Sequence, residues 1–300
     1  MKLLGIFLFS LLMVATQSAN ILFTSELWSP SHHIFNSALA RALAERGHNV
    51  TFVSADLDKN PPKNLHYIHL EKQYEIFVEE STGNKASTVF NIANYTDFVE
   101  MSPWFNIMIF NGYGFDVCSS LAKSKGFWRI LNYPDDFKFD LMINDYTVGP
   151  CLLGLLKKFN YPPLIGITAF CNPPTTADII GGDKLGLTVK PHYTLDYDAS
   201  ENTMEFRNLI KEMKEIYGQD LPYAGDLEKM MQIALVNSHP AVEFAESLPP
   251  NVIEVGGMHI KESKPLDEEI EKFLSKGKKG SVLMSLGSNF RSDTSKRRKN

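Results

Sequence analysis

Short apolar runs rich in β-branched and aromatic residues alternate along the chain with stretches of helical spacing, the pattern of a parallel sheet covered by helices. The first unit is the clearest. Residues 21–24 read as a strand, Ile34, Phe35, Ala38, Leu39, Ala42 and Leu43 recur along one helix face, Gly47 closes that helix, and residues 50–54 give the next strand. A third strand is predicted within 65–70. An aromatic and methionine-rich stretch over 88–131 is expected to be mostly helical, broken at Pro103, Gly112, Gly114 and Gly126. The second unit runs from a strand at 139–144 through a helix over 150–160 to a strand at 164–168. A charged helix near 205–216 and strands at 233–237 and 252–255 complete an α/β domain.

At about 150 residues per domain, a chain of 300 predicts two. Residues 1–19 read as a secretory signal peptide: Lys2 precedes an apolar run, and small residues follow at Thr16, Ser18 and Ala19. The run is shorter than the ~20 residues a bilayer core requires. Residues 20–260 form the first domain. From 261 to 280 the composition shifts to Lys, Glu, Ser, Pro and Gly around one amphipathic helix carrying Leu266, Ile270, Phe273 and Leu274, which reads as a linker. Residues 281–286 then look like the first strand of a second domain, so the chain is expected to be truncated soon after that domain begins.

Composition narrows the function. With 44% hydrophobic and 22% charged residues the chain is globular, and a net charge of −5 gives no basic surface for nucleic acid. Three cysteines, Cys118, Cys151 and Cys171, allow one disulfide at most and lack the paired spacing of a zinc site. The sequons at Asn49 and Asn94 suit a glycosylating compartment, and Asn94 is favoured because Asn49 lies beside a predicted strand. The turn after the first strand, residues 25–33, lacks the glycines of a dinucleotide site. No P-loop, H-E-x-x-H or nucleophile-elbow motif occurs either.

That turn instead carries Ser29-Pro30-Ser31-His32-His33. It lies at the carboxyl end of a sheet strand, where open α/β folds bind ligands, and an imidazole there suits general-base work near neutral pH. The competing reading makes Ser31 a helix cap and both histidines ordinary first-turn residues. Asp145 sits just past the apolar run of another strand; it either partners an imidazole or caps the turn that follows. A metal site between adjacent histidines is disfavoured because their side chains diverge on a helix.

The segment Ser29-Pro30-Ser31-His32-His33 with Asn36, followed by Leu43-Ala44-Glu45-Arg46-Gly47-His48-Asn49-Val50-Thr51, resembles the amino-terminal signature of the UDP-glycosyltransferases, the glucuronosyltransferase-like family, in its insect form. Phe139-Asp140-Leu141-Met142-Ile143-Asn144-Asp145, Asn237-Ser238-His239, Leu248-Pro249-Pro250-Asn251-Val252-Ile253-Glu254-Val255-Gly256-Gly257-Met258-His259 and Ser285-Leu286-Gly287-Ser288 resemble the family's later landmarks, in order. The resemblance implies a GT-B architecture of two Rossmann-like domains, the first holding a small lipophilic hydroxyl acceptor and the second a UDP-sugar as co-substrate, with no further cofactor and no metal. It assigns His32 as catalytic base, Asp145 as its partner and Ser285, Gly287 and Ser288 to the sugar-donor loop, and it leaves His33 as packing or pocket wall. Phe90, Phe98, Met101 and Trp104 would help line the acceptor pocket, or else belong to the core. It also implies the endoplasmic reticulum lumen, with the family's membrane anchor missing from this chain. Because most of the donor half is missing as well, the chain alone is expected to transfer sugar slowly or not at all. The alternative is a non-catalytic module that binds acceptor or pairs with full-length relatives as a homo- or hetero-oligomer.

Overall fold

The computed structural model describes residues 18–71, 73, 117–181 and 211–283, apart from 119, 148, 174, 212, 244–246 and 278. Seven parallel strands form one sheet: β1 Asn20–Ser25, β2 Asn49–Ser54, β3 Leu65–His69, β4 Leu141–Asp145, β5 Leu164–Thr168, β6 Met231–Val236 and β7 Val252–Glu254. Their order is β3-β2-β1-β4-β5-β6-β7, so the chain builds outward from β1 in one direction and then resumes on its other side at β4. This is a doubly wound α/β fold, and it contains the parallel sheet covered by helices that the alternation of strand and helix patterns predicts.

Side chains alternate across the strands, so each sheet face acquires its own core. Leu22, Val53, Met142 and Leu164 join the larger cluster, which includes Trp28, Phe127 and Leu152. Ile21, Phe23, Phe52, Ile143 and Ile167 point to the opposite face and bury the apolar side of helix α1, Pro30–Glu45, through Phe35, Ala40 and Ala44. Pro30 stands at the helix start, where its missing N–H costs nothing, and α1 ends before Gly47, whose φ of 96° turns the chain toward β2. Ser29, not Ser31, occupies the N-cap position, and its hydroxyl lies 3.0 Å from that of Ser31 rather than capping the backbone.

The helical pattern is interrupted at 122–124, just before Gly126. Gly126 itself lies inside α2, Lys125–Leu131, where a Cβ would overlap the carbonyl oxygen of His69 at the end of β3. The glycine is there to let helix and strand touch. The helix expected over 150–160 is a 3-10 turn, Cys151–Leu153, running into α3, Gly154–Lys158. Helices α4, Thr175–Ile180, and α5, Ala224–Glu228, follow. Cys118 and Cys151 form the disulfide, with Cα atoms 5.6 Å apart, and Cys171 lies outside it.

Beyond β7, helix α6, Glu268–Leu274, is capped by Asp267, whose side chain accepts from the Glu269 N–H; it buries none of its residues. Ser281–Leu283 are exposed and lie in no strand. Ser285, Gly287 and Ser288, residues 1–17 of the leader expected over 1–19, Asn94, and the aromatic residues from Phe90 to Phe115 lie outside the described residues. Among the described residues no helix is long and apolar enough to cross a membrane.

Candidate active site

The winding direction reverses between β1 and β4, and the carboxyl ends of those two strands are the position where doubly wound sheets take ligands. The turn leaving β1 delivers His32 in the first turn of α1, and β4 ends on Asp145. The structure brings the two together: His32 Nδ1 lies 3.1 Å from Asp145 Oδ2, with the side chains 3% and 1% exposed.

Asp145 is surrounded by donors. Oδ2 also accepts from Asn36 Nδ2 at 2.7 Å and Ser25 Oγ at 3.2 Å, while Oδ1 accepts from the N–H and the hydroxyl of Thr147. Burial pushes the carboxyl's proton affinity up, but the charge and hydrogen bond of His32, with the bonds from Thr147 and Asn36, outweigh it and hold Asp145 below the ordinary aspartate range. Asp145 is therefore an anion that can only accept, so Nδ1 of His32 carries the bridging proton and Nε2 is the basic atom. No described residue bonds Nε2.

The ring is fixed from two sides. Phe170, just past β5, meets His32 edge-on, with ring centroids 4.9 Å apart. The Thr147 hydroxyl lies 3.0 Å from that of Thr168, which accepts from the Phe170 N–H at 3.2 Å. A closed circuit thus runs from Asp145 through Thr147, Thr168 and Phe170 back to His32.

Asp145, Asn36, Ser25 and His32 are all buried, yet Asn36 Oδ1 has no hydrogen-bond partner. Leaving an amide oxygen dry costs about 1–3 kcal/mol, which the short bond from its nitrogen to an anion must offset. Asn36 belonged to the sequence motif, but its role did not follow from it. The available signal was spacing: His32 and Asn36 are one turn apart, two polar residues on a helix face otherwise buried through Phe35 and Ala40.

His33 turns the other way. Its Nε2 lies 3.2 Å from Asp58 Oδ1 and its Nδ1 3.4 Å from Ser54 Oγ, and the ring stacks on Phe52. Asp58 also accepts from Ser37 Oγ at 3.0 Å and Arg41 at 3.0 Å. The pocket-wall expectation for His33 missed this polar tie to the loop after β2.

Glu26, in the same turn as His32, was also missed. It is fully buried, its Oε2 accepts from the Leu152 N–H at 3.0 Å, and Oε1 has no partner. Burial first, then the negative charge of Asp145, raises its proton affinity well above the ordinary glutamate range despite the backbone bonds from Leu152 and Cys151.

The fold is a doubly wound α/β sheet with a buried histidine–carboxylate pair at its switch point, and the chain can be compared with known proteins. Residues 199–300 match the family "UDP-glucoronosyl and UDP-glucosyl transferase". The chain is 27% identical to UDP-glucosyltransferase 2 of the insect Dactylopius coccus, over 98% of this chain and 58% of that protein. It is 26% identical to UDP-glucuronosyltransferase 2B14 of Oryctolagus cuniculus, over 82% of this chain and 50% of that one. The family that the motifs resemble is thus the family the comparisons return, and these relatives are transferases. The chain spans about half the length of the curated relatives it matches. Among solved structures, it is similar to Arabidopsis thaliana UGT89C1 complexed with UDP-L-rhamnose, at a TM-score of 0.46 and 12% identity over 92% of this chain and 59% of that one. It is also similar to CalG4, the calicheamicin glycosyltransferase, at 0.45 and 15% over 80% and 53%.

Proposed function

We propose that residues 20–260 form the acceptor-binding half of a GT-B UDP-glycosyltransferase that moves a hexosyl or glucuronosyl group from a UDP-sugar to a hydroxyl of a small lipophilic acceptor. The observation that carries the reading is the 3.1 Å approach of His32 Nδ1 to Asp145 Oδ2 at the β1/β4 switch point. His32 Nε2 takes the acceptor's hydroxyl proton, and the oxygen attacks the anomeric carbon. The bond from that carbon to the diphosphate breaks, UDP leaves with the electron pair, and configuration inverts. Asp145 keeps its charge throughout and stabilises the imidazolium as it forms.

Residues 261–280 then act as the linker, and Ser285, Gly287 and Ser288 as the small-residue start of the donor half, where backbone approaches the diphosphate. The buried Cys118–Cys151 disulfide supports an oxidising, secretory-pathway environment.

The test is transfer from UDP-glucose or UDP-glucuronic acid to a phenol, measured on the protein carrying this sequence, with the glycoside detected by mass spectrometry. Replacing His32 with alanine should lower turnover by about 10²–10⁴-fold, the usual worth of a general base. Undiminished turnover in that variant would overturn the reading. Binding of the phenol to the 300-residue chain without any transfer, even when a donor-competent relative is added, would favour the non-catalytic module.

A further inference from the structure

We infer that Asn36 is a positioning residue which keeps Asp145 an acceptor and limits how strongly that aspartate pulls on the His32 proton. The geometry is independent of the transferase reading; its consequence for turnover rests on it. Three donors crowd Asp145 Oδ2, and Asn36 Nδ2 at 2.7 Å is the shortest of them, against 3.1 Å for His32 and 3.2 Å for Ser25. The same amide nitrogen reaches Ser25 Oγ at 3.2 Å. A flipped amide would bring its carbonyl against the carboxylate, so the NH2 end faces Asp145 even though this leaves Oδ1 dry.

An amide donor differs from an imidazole in one respect: it does not titrate. Whatever His32 does with its own proton, Asn36 continues to stabilise ionised Asp145. The carboxylate therefore does not take the Nδ1 proton when Nε2 is unprotonated, and Nε2 remains the ring atom that accepts from substrate. The bond also draws on the electron density of Oδ2. With Asn36 in place, Asp145 favours the imidazolium less than it would alone.

The other groups around the pair fit this assignment. From the β1 turn comes Glu26, whose burial favours the neutral acid; from β4 and β5 come Thr147, Thr168 and Phe170, none of them charged. On α1 itself, His33 is engaged with Asp58. Asn36 is thus a fixed, uncharged donor acting on the anion beside His32.

The experiment is ¹⁵N NMR of the full chain with labelled histidine, His32 being assigned by its loss in His32→Gln, followed through a pH titration. In the parent, the neutral ring should carry its proton on Nδ1. Asn36→Leu should keep that tautomer but move the His32 protonation midpoint up by roughly half a pH unit, the worth of about one neutral hydrogen bond. Asn36→Ala, which removes the donor without adding bulk, should move it up in the same direction, and it decides the matter if the leucine variant does not fold. A parent ring protonated on Nε2 when neutral, or variant midpoints equal to or below the parent's, would overturn the inference. In the transfer assay, the acid limb of kcat/KM should move up with the midpoint. The spectra need no turnover, so the two ideas fail separately. Undiminished transfer in His32→Ala would sink the role of His32 as base alone, whereas unmoved midpoints would sink only the role given to Asn36.

Discussion

His32 and His33 follow one another in the first turn of α1, and each meets an aspartate, the first at 3.1 Å and the second at 3.2 Å. A helix turns about 100° per residue, so one ring is carried toward β4 and the other toward the loop after β2. What surrounds each pair then differs. Asp145 is 1% exposed, forms no ion pair with a Lys or Arg among the described residues, and leaves His32 with one ring nitrogen that no described residue bonds. Asp58 is 16% exposed and already neutralised by Arg41, and His33 has both ring nitrogens engaged, by Asp58 and Ser54. A histidine–aspartate contact is therefore not by itself a catalytic signature. It becomes one when the aspartate is a sealed anion and the far nitrogen is left to receive a proton at a ligand-binding edge.

The sharpest way to break this comparison is to remove the charge from each aspartate in turn. Asp145→Asn presents an amide whose NH2 can face His32 and reverse its tautomer, so turnover in the transfer assay should fall by about 10²–10⁴-fold. Asp58→Asn should leave turnover within a few-fold of the parent, because no ring nitrogen of His33 is placed to take a proton. Equal losses in the two variants would mean that the pairs are not distinct.

A smaller effect separates them by stability. Ser37, Arg41 and His33 all donate to Asp58, and although partial burial opposes ionisation, Arg41 and Ser37 together hold its carboxyl below the ordinary aspartate range. A lowered folded-state proton affinity means stability that is present above the unfolded pKa, near 3.9, and is lost as pH falls through the folded value. Asp58→Asn should therefore cost about 1–3 kcal/mol at pH 7 in urea denaturation, with the deficit closing as the titration is taken below pH 4. A deficit that does not change with pH would show that the aspartate contributes shape rather than charge.

Much of the frame was legible because it rests on local periodicity. The strands at β1, β2, β4 and β5 and the helix α1 follow from apolar spacing and from Gly47, whereas the order in which the strands pair, and with it the switch point, is visible only in the structure. The polar partners were not legible in the same way. Glu26 meets Leu152 across 126 residues, and Asn36 meets Asp145 across 109, distances over which no pattern of letters reports contact. Gly126 has a role that was not legible for a related reason. Glycine disfavours a helix by propensity, but here the close approach of His69 from β3 requires a residue without a Cβ, and tertiary packing overrides the local preference.

Glu26 offers the subtlest test, since it is the other wholly buried carboxyl on this edge and its proton affinity is shifted the opposite way to that of Asp145. Asp145 collects five hydrogen bonds; Glu26 has the backbone N–H groups of Leu152 and Cys151, with Oε1 unpartnered among the described residues and the Asp145 charge nearby. A raised folded-state proton affinity makes a contribution to stability that is complete below the unfolded glutamate pKa of about 4.3 and is lost as pH rises through the folded value. Glu26→Gln keeps an acceptor for Leu152 and removes the ionisation. Its stability relative to the parent should accordingly improve as pH is raised from 4 upward and level off once Glu26 has ionised in the parent, a change read as diverging Tm values in a pH series. Parallel Tm curves for the two proteins would mean that Glu26 ionises in the fold as easily as in water, and that the contrast with Asp145 lies in hydrogen-bond count alone.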